Sequence, residues 1–423
     1  MKRRWLFLVL IFVLASCGTP TPASVSPSPS PTSSSTATTA ATPAPTTVTI
    51  WHNWPRSWEV VYEEIIADFN VSSEDVRIEL LKVENLTEAL RVAIPSGEGP
   101  DIVHGHTEQI GPWARLGAIK PLDGYVAPSL LENRFEPAAV DAVMWRGAHW
   151  GFPESQEGIA LIYNRDMLSA SDLPDPDDFD DLLQKAQAYR QENPDKYYLC
   201  NPGLGQVDAY SVAPIYLGHD LREYGGFVDE VGNVYLDSRA AYNAAEWIAE
   251  FSKLAPAEAN AGICQAMFIE GQVPIWWMGE RALLALEETR LDYGIAPMGS
   301  PFVDVTAFML SSNSQARGHV DAALTVIQYL TGVDVQRRLA LAVRLVPANS
   351  AALADASLQA DPVIAGFGEA LHRGTPLPNH VYGDCAWGGV GDATLAIWRG
   401  RLSPLEAMNE AQAIVEACVA EIE

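Results

Sequence analysis

Three stretches set carboxylate, amide, cationic and indole groups beside short apolar runs. Asn53, Trp54 and Arg56 follow Val48-Thr49-Ile50-Trp51, Glu108 and Gln109 follow Asp101-Ile102-Val103, and Glu157 precedes Gly158-Ile159-Ala160-Leu161. Carboxylates, amides and guanidinium groups hydrogen-bond hydroxyls, and an indole offers a flat apolar face. Together they suit a ligand with hydroxyls on its edges and C–H groups on its faces. His106 is a weaker member of the set. Plainer readings stand beside these: Asn53 also suits the cap of a helix starting near Arg56, and Glu157 also suits an open surface. His104-Gly105-His106 alternates as zinc ligands would, but catalytic zinc needs a third protein ligand and only the distant His149 offers one, so no metal is expected. The acidic run from Asp175 to Asp181 lacks the glycine and terminal glutamate of a calcium loop and fits the start of a helix over 180–189. No G-x-x-x-x-G-K-[ST], H-E-x-x-H or G-x-S-x-G occurs, so nucleotide, metalloprotease and esterase chemistry have no starting point and no cofactor is expected.

The elements that must position these groups are legible from periodicity. Val48–Trp51 reads as a strand, 58–69 as an amphipathic helix, 76–81 as a second strand, and 85–94 as a helix stopped by Pro95. Asp101-Ile102-Val103 is then a short buried strand, His104–Thr107 a polar loop at its end, and Glu108 the start of a helix closed by Gly117. This β-α-β-α-β order favours a parallel sheet flanked by helices, with ligands in the crevice beyond the strand ends. Further on, 149–153 and 158–164 read as strands either side of Glu154–Glu157, and 308–310 as another. Ser403-Pro404-Leu405-Glu406 is a capping box opening a terminal helix. Trp51, Trp145, Trp150, Trp247 and Trp398 are expected in the core, with Trp276 divided between core and cleft.

The stretch from Gly97 to Leu122, GEGPDIVHGHTEQIGPWARLGAIKPL, resembles the G-x-G-P-D-I … L-x-x-x-G-x-[LI]-x-P-L signature of family 1 extracellular solute-binding proteins of the maltose-binding type. The run I-A-L-I-Y-N-R-D-M-L resembles that family's first crossover strand, and Asp292–Pro297 its second. The resemblance implies an α/β, two-lobe periplasmic-binding-protein fold of type II, with mostly parallel sheets flanked by helices and a hinge of crossover strands. Its lobes would be 48–157 plus 298–346 and 158–297 plus 347–423, with Gly158 at the hinge. It also implies an importer subunit that captures a maltose- or maltodextrin-like oligosaccharide and presents it to an ATP-driven permease, with no catalysis. It carries binding roles onto Asp208 and Tyr210, and onto Trp387 as the stacking residue. Met267–Gly279 matches a further family segment, but Arg281 stands where the family has Trp, so Trp277, with Trp276, is the substitute aromatic surface. Gly105, Gln109, Gly388 and Gly391 are also departures, toward a more open site. The competing class is a secreted glycoside hydrolase using Glu157 and Asp208 as its carboxylate pair.

Met1–Ser16 has Lys2, Arg3 and Arg4 ahead of an apolar run too short to span a bilayer, which is the form of a signal peptide. Leu14-Ala15-Ser16-Cys17 resembles a bacterial lipobox, implying lipidation of Cys17 and a protein tethered on the outer face of the cytoplasmic membrane. The uncharged Pro/Ser/Thr-rich remainder of 17–47 reads as a disordered tether. Without 1–16 the chain carries 24 basic against 54 acidic residues, a formal −30. Such a field repels nucleic acid and anionic lipid, and a monomer is expected. Four cysteines remain, allowing three pairings. Cys200–Cys264 is the first choice because both fall in the second lobe, whereas Cys418 lies on an apolar helical stripe and reads as a buried free thiol.

Overall fold

Alternating burial of Val48 and Ile50 makes the first strand, β1 (Thr46–His52), an inner member of a sheet. The computed structural model describes residues 44–422. The segment read as a signal peptide, Cys17 and most of the expected tether therefore lie outside the described residues. The tether was expected to reach Thr47, but Thr46 and Thr47 already pair with Val76 and Arg77 of β2 (Val76–Lys82). Both are β-branched, and the strand extends as far as its parallel partner does. Between them the helix Arg56–Ser72 buries Tyr62, Ile65, Ile66 and Phe69 along one face. The helix Leu86–Ser96 is capped by Asn85, which accepts from the Glu88 amide at 3.3 Å, and it ends at Gly97 in the left-handed region.

β3 (Ile102–His106) lies on the other side of β1 and is longer than its apolar run. His104 and His106 belong to the strand, not to a loop, because they pair with Phe308 and Thr306 of a later strand. A short hairpin follows, β4 (Met144–Trp145) and β5 (Ala148–His149), turning through Arg146 and Gly147 at positive φ. β6 (Phe152–Glu157) includes Glu154–Glu157, which the sequence placed between strands, and Gly158 alone separates it from β7 (Ile159–Asn164). The remaining strands are β8 (Leu199–Cys200), β9 (Ile275–Gly279), β10 (Tyr293–Ala296), β11 (Phe302–Leu310), β12 (Val346–Pro347) and β13 (Thr375–Pro376).

They form two main sheets. One has the order β12-β6-β11-β3-β1-β2 with β13 beside β11, and the other is β10-β7-β9-β8. The chain passes from the first to the second through Gly158 and returns between β10 and β11. Pairing is mixed rather than mostly parallel. β1 is parallel to β2 and β3, but β11 runs antiparallel to β3 and β6, and β7 antiparallel to β9 and β10. Strands that carry the chain across between sheets meet their neighbours head to tail, which local β-α-β periodicity does not register. Late in the chain, the helix Pro362–His372 packs on β10 and β7. The helices Gly383–Trp398 and Pro404–Ile422 pack on each other and on Arg239–Phe251.

Two disulfides join these parts. Cys200–Cys264 is the expected pair, with Cα atoms 5.4 Å apart. Cys418 is not a free thiol: it bonds Cys385, with Cα atoms 5.6 Å apart. The apolar stripe did turn Cys418 toward the neighbouring helix, but which residue waits there is a tertiary fact.

Candidate functional site

The first wall is built from a buried polar chain. Trp54 Nε1 donates to His104 Nδ1 at 2.9 Å, so the proton of the neutral imidazole sits on Nε2 and is donated to Glu154 Oε2 at 2.6 Å. Thr306 Oγ1 donates to the same oxygen at 2.7 Å, and Ser155 Oγ lies 2.7 Å from Thr306 Oγ1. Burial holds His104 well below its ordinary pKa and pushes the Glu154 carboxyl up to about 8. Both are thus mostly uncharged at neutral pH. Trp54 is clamped further between the rings of His52 and Tyr62, each 4.0 Å away.

Two cavities open beside this wall. One of about 540 Å³ is lined by Asn53, Trp54, Trp58, Gln156 and Leu284 among others. The other, of about 390 Å³, is lined by Glu108, Asp208, Tyr210, Asp304 and Trp387. Glu157, Glu280 and Arg281 border both, so the two are chambers of one cleft. Glu157 ends β6 and Glu280 follows β9, which sets the shared border between the two sheets. Arg281 Nη2 is 3.9 Å from Glu157 Oε2. Desolvation first, and the Glu157 carboxylate beside it second, push the Glu280 carboxyl well above the usual range. His106 is raised to about 9, chiefly by its hydrogen bond to Asp304, and so carries a charge at neutral pH. Desolvation and the surrounding carboxylates raise the Tyr210 phenol above its usual range.

Of the residues singled out from the sequence, Asn53, Trp54, Glu108, Glu157, Asp208, Tyr210 and Trp387 line the cleft. Trp387 is half-buried, held edge-on to Phe302 at 5.8 Å, with Nε1 donating to Asp384 at 3.2 Å. Asp208 has a structural task as well, capping the helix Ala209–Gly218 by accepting from the Ser211 amide at 3.0 Å and the Ser211 hydroxyl at 2.6 Å. Three candidates fall outside. Arg56 is exposed and paired with Glu59 and Glu63. Gln109 turns to Thr87 and Glu108, with heavy atoms 3.4 and 3.3 Å away. Trp277 is fully buried, because Trp276 and Trp277 point to opposite faces of β9 and both faces are covered. Glu280 and Asp304 were missed. Asp304 had a signal, as the one charged residue in the apolar run Phe302–Leu310.

The model of a family described as bacterial extracellular solute-binding protein matches residues 64–366. The chain belongs to that family. Among curated relatives, it is 29% identical over 359 residues to the maltotriose-binding protein of Pyrococcus abyssi, covering 81% of this chain and 75% of the relative. It is 20% identical to the galactooligosaccharide-binding protein of Bacillus subtilis, over 82% of this chain and 84% of the relative. Among solved structures, a cyclo/maltodextrin-binding protein complexed with maltotetraose superposes with a TM-score of 0.78 at 20% identity, covering 91% of this chain and 100% of that one. That likeness gives the type II two-lobe fold.

For an extracellular solute-binding protein the cleft is a place of capture, not of bond breaking, and the hydrolase reading of Glu157 and Asp208 falls with the family. His104 is turned to Glu154 and His106 to Asp304. Among the described residues no three His, Cys, Asp or Glu side chains gather as metal ligands.

Proposed function

We propose that this protein captures a malto-oligosaccharide between its two lobes and delivers it to an ATP-driven permease, held to the outer face of the membrane by lipid on Cys17. The observation that carries the reading is the pairing of an indole face with several carboxylates in one two-chambered cleft. Trp387 supplies the apolar platform, and Glu108, Glu157 and Asp208 supply acceptors for hydroxyls. The maltotriose-binding relative favours a glucan, and two adjoining chambers favour a chain of sugars over a single ring. The lobes divide as 48–157 plus 298–346 and 158–297 plus 347–423, hinged near Gly158. Closure works only if the sugar binds the closed form better than the open one.

The test is calorimetric titration of the mature domain with maltose, maltotriose and maltotetraose, alongside a galactooligosaccharide because of the Bacillus relative. A ligand present at a hundredfold its Kd raises stability by about 2.7 kcal/mol, so thermal shifts serve as a screen. Saturable heat with the glucans is the expected result. Binding of the galactooligosaccharide alone replaces the glucan, and no binding of either rejects the reading.

A further inference from the structure

Asp304 stands directly opposite Glu157 in the β6–β11 register, on the strand that forms the middle of the larger sheet. Its two carboxylate oxygens are unequally employed. Oδ2 lies 2.9 Å from His106 Nδ1, and the charged imidazole donates to it, which fixes the rotamer. Oδ1 is buried and has no hydrogen-bond partner, although Asp304 borders the chamber that holds Trp387 and Tyr210. A desolvated carboxylate oxygen left without a donor is costly, and the cost is recovered when a donor arrives. As the structure stands, no side chain of the chamber donates to it. Its neighbours Glu108, Glu157 and Asp208 are also acceptors, and the cation Arg281 lies 3.9 Å from Glu157.

Resting on the sugar reading above, we propose that Asp304 is a specificity-determining ligand of the cleft: its Oδ1 accepts a hydrogen bond from a sugar hydroxyl, and its charge turns away sugars that carry a carboxylate. The first role follows from a preorganised acceptor, and the second from like charges brought together in a desolvated space. In the sequence Asp304 is marked only as the one charged residue of an apolar strand, not as a residue of a loop.

The experiment compares the parent with Asp304→Asn and Asp304→Ala, titrating maltotriose and the aldonic acid made from it, after apo-state melting has shown that each variant folds. Removing a hydrogen bond to a charged group corresponds to about a 10- to 100-fold loss of maltotriose affinity in Asp304→Ala. The parent is expected to prefer maltotriose over the acid by at least about tenfold, and Asp304→Asn, isosteric but uncharged, to narrow that preference. Variants that bind maltotriose within twofold of the parent and keep its rejection of the acid overturn the inference while leaving the sugar reading standing. A parent that binds neither glucan overturns both.

Discussion

His104 shows how far a residue's role depends on its neighbours. In the sequence it is half of a possible metal pair, and in the fold it is a neutral relay between Trp54 and Glu154. The groups around it give the protein a distinct dependence on pH. Glu154 is raised from 4.5 to about 8, so the folded state keeps a proton that the unfolded chain releases, and stability falls as pH rises across that interval. His106, raised from 6.5 to about 9, adds stability that is complete below 6.5 and is lost as pH climbs through 9. His52, lowered by burial to about 4, acts the other way: its contribution rises with pH between 4 and 6.5. Urea midpoints should therefore fall between pH 6.5 and 9. Glu154→Gln should flatten the part below 8 and His106→Gln the part near 9, and slopes unchanged in both variants would refute the assignment. At the same scale, Trp387→Ala should weaken every cognate glucan by on the order of 1–3 kcal/mol, since a stacking face reads no single hydroxyl. Calorimetry across maltose, maltotriose and maltotetraose checks this, and a loss confined to one sugar would point to a different contact.

Among the elements, the passage from β6 to β7 is closely constrained. A methyl group on Gly158 would lie 2.7 Å from the Phe302 carbonyl oxygen and would collide with Leu371 Cδ2. Glycine is needed there for close approach between the two crossing segments, whatever dihedral change it also absorbs. Gly158→Ala should cost about 1–3 kcal/mol through overpacking and should weaken glucan binding, because the border residue Glu157 moves with it. A variant with the parent's melting temperature would show that the segments separate freely. The helix Gly383–Trp398 depends on a different restraint. It presents Trp387 while Cys385, two residues earlier, is tied to Cys418 across 33 residues of sequence. In the chain-entropy account a loop of that length contributes about 4 kcal/mol. Replacing both cysteines by serine should lower the denaturation midpoint and loosen Trp387, read as reduced quenching of its fluorescence by added glucan. An unchanged midpoint would mean that packing of the two helices suffices.

For the whole molecule, the excess of acidic residues is a matter of solubility and of partners, not of fold. The tether and Cys17 belong to this scale too. Cys17→Ala should leave a protein that binds glucan as the parent does but appears in the soluble fraction, and continued retention in membranes would count against the anchor.

Much of this molecule was legible in the sequence because the signals are local. Helical stripes such as Ile65 and Phe69, the capping box at Ser403, and the short strands β1 and β2 each report on neighbours a few residues away. Asn53, just after β1, and Glu157, at the end of β6, could be singled out for the same reason. What the chain could not display was pairing across long separations. β3 runs on through His104 and His106 because β11, some 200 residues later, offers it hydrogen bonds. Trp277 went to the core rather than the cleft because both faces of β9 are covered. Cys418 acquired a partner on a helix whose proximity no spacing encodes. Asp304 joined the cleft by the same route, as a strand residue that enters the site only when β6 and β11 lie side by side. Local periodicity decides which segments become strands and helices, and the register between distant strands decides which side chains face one another.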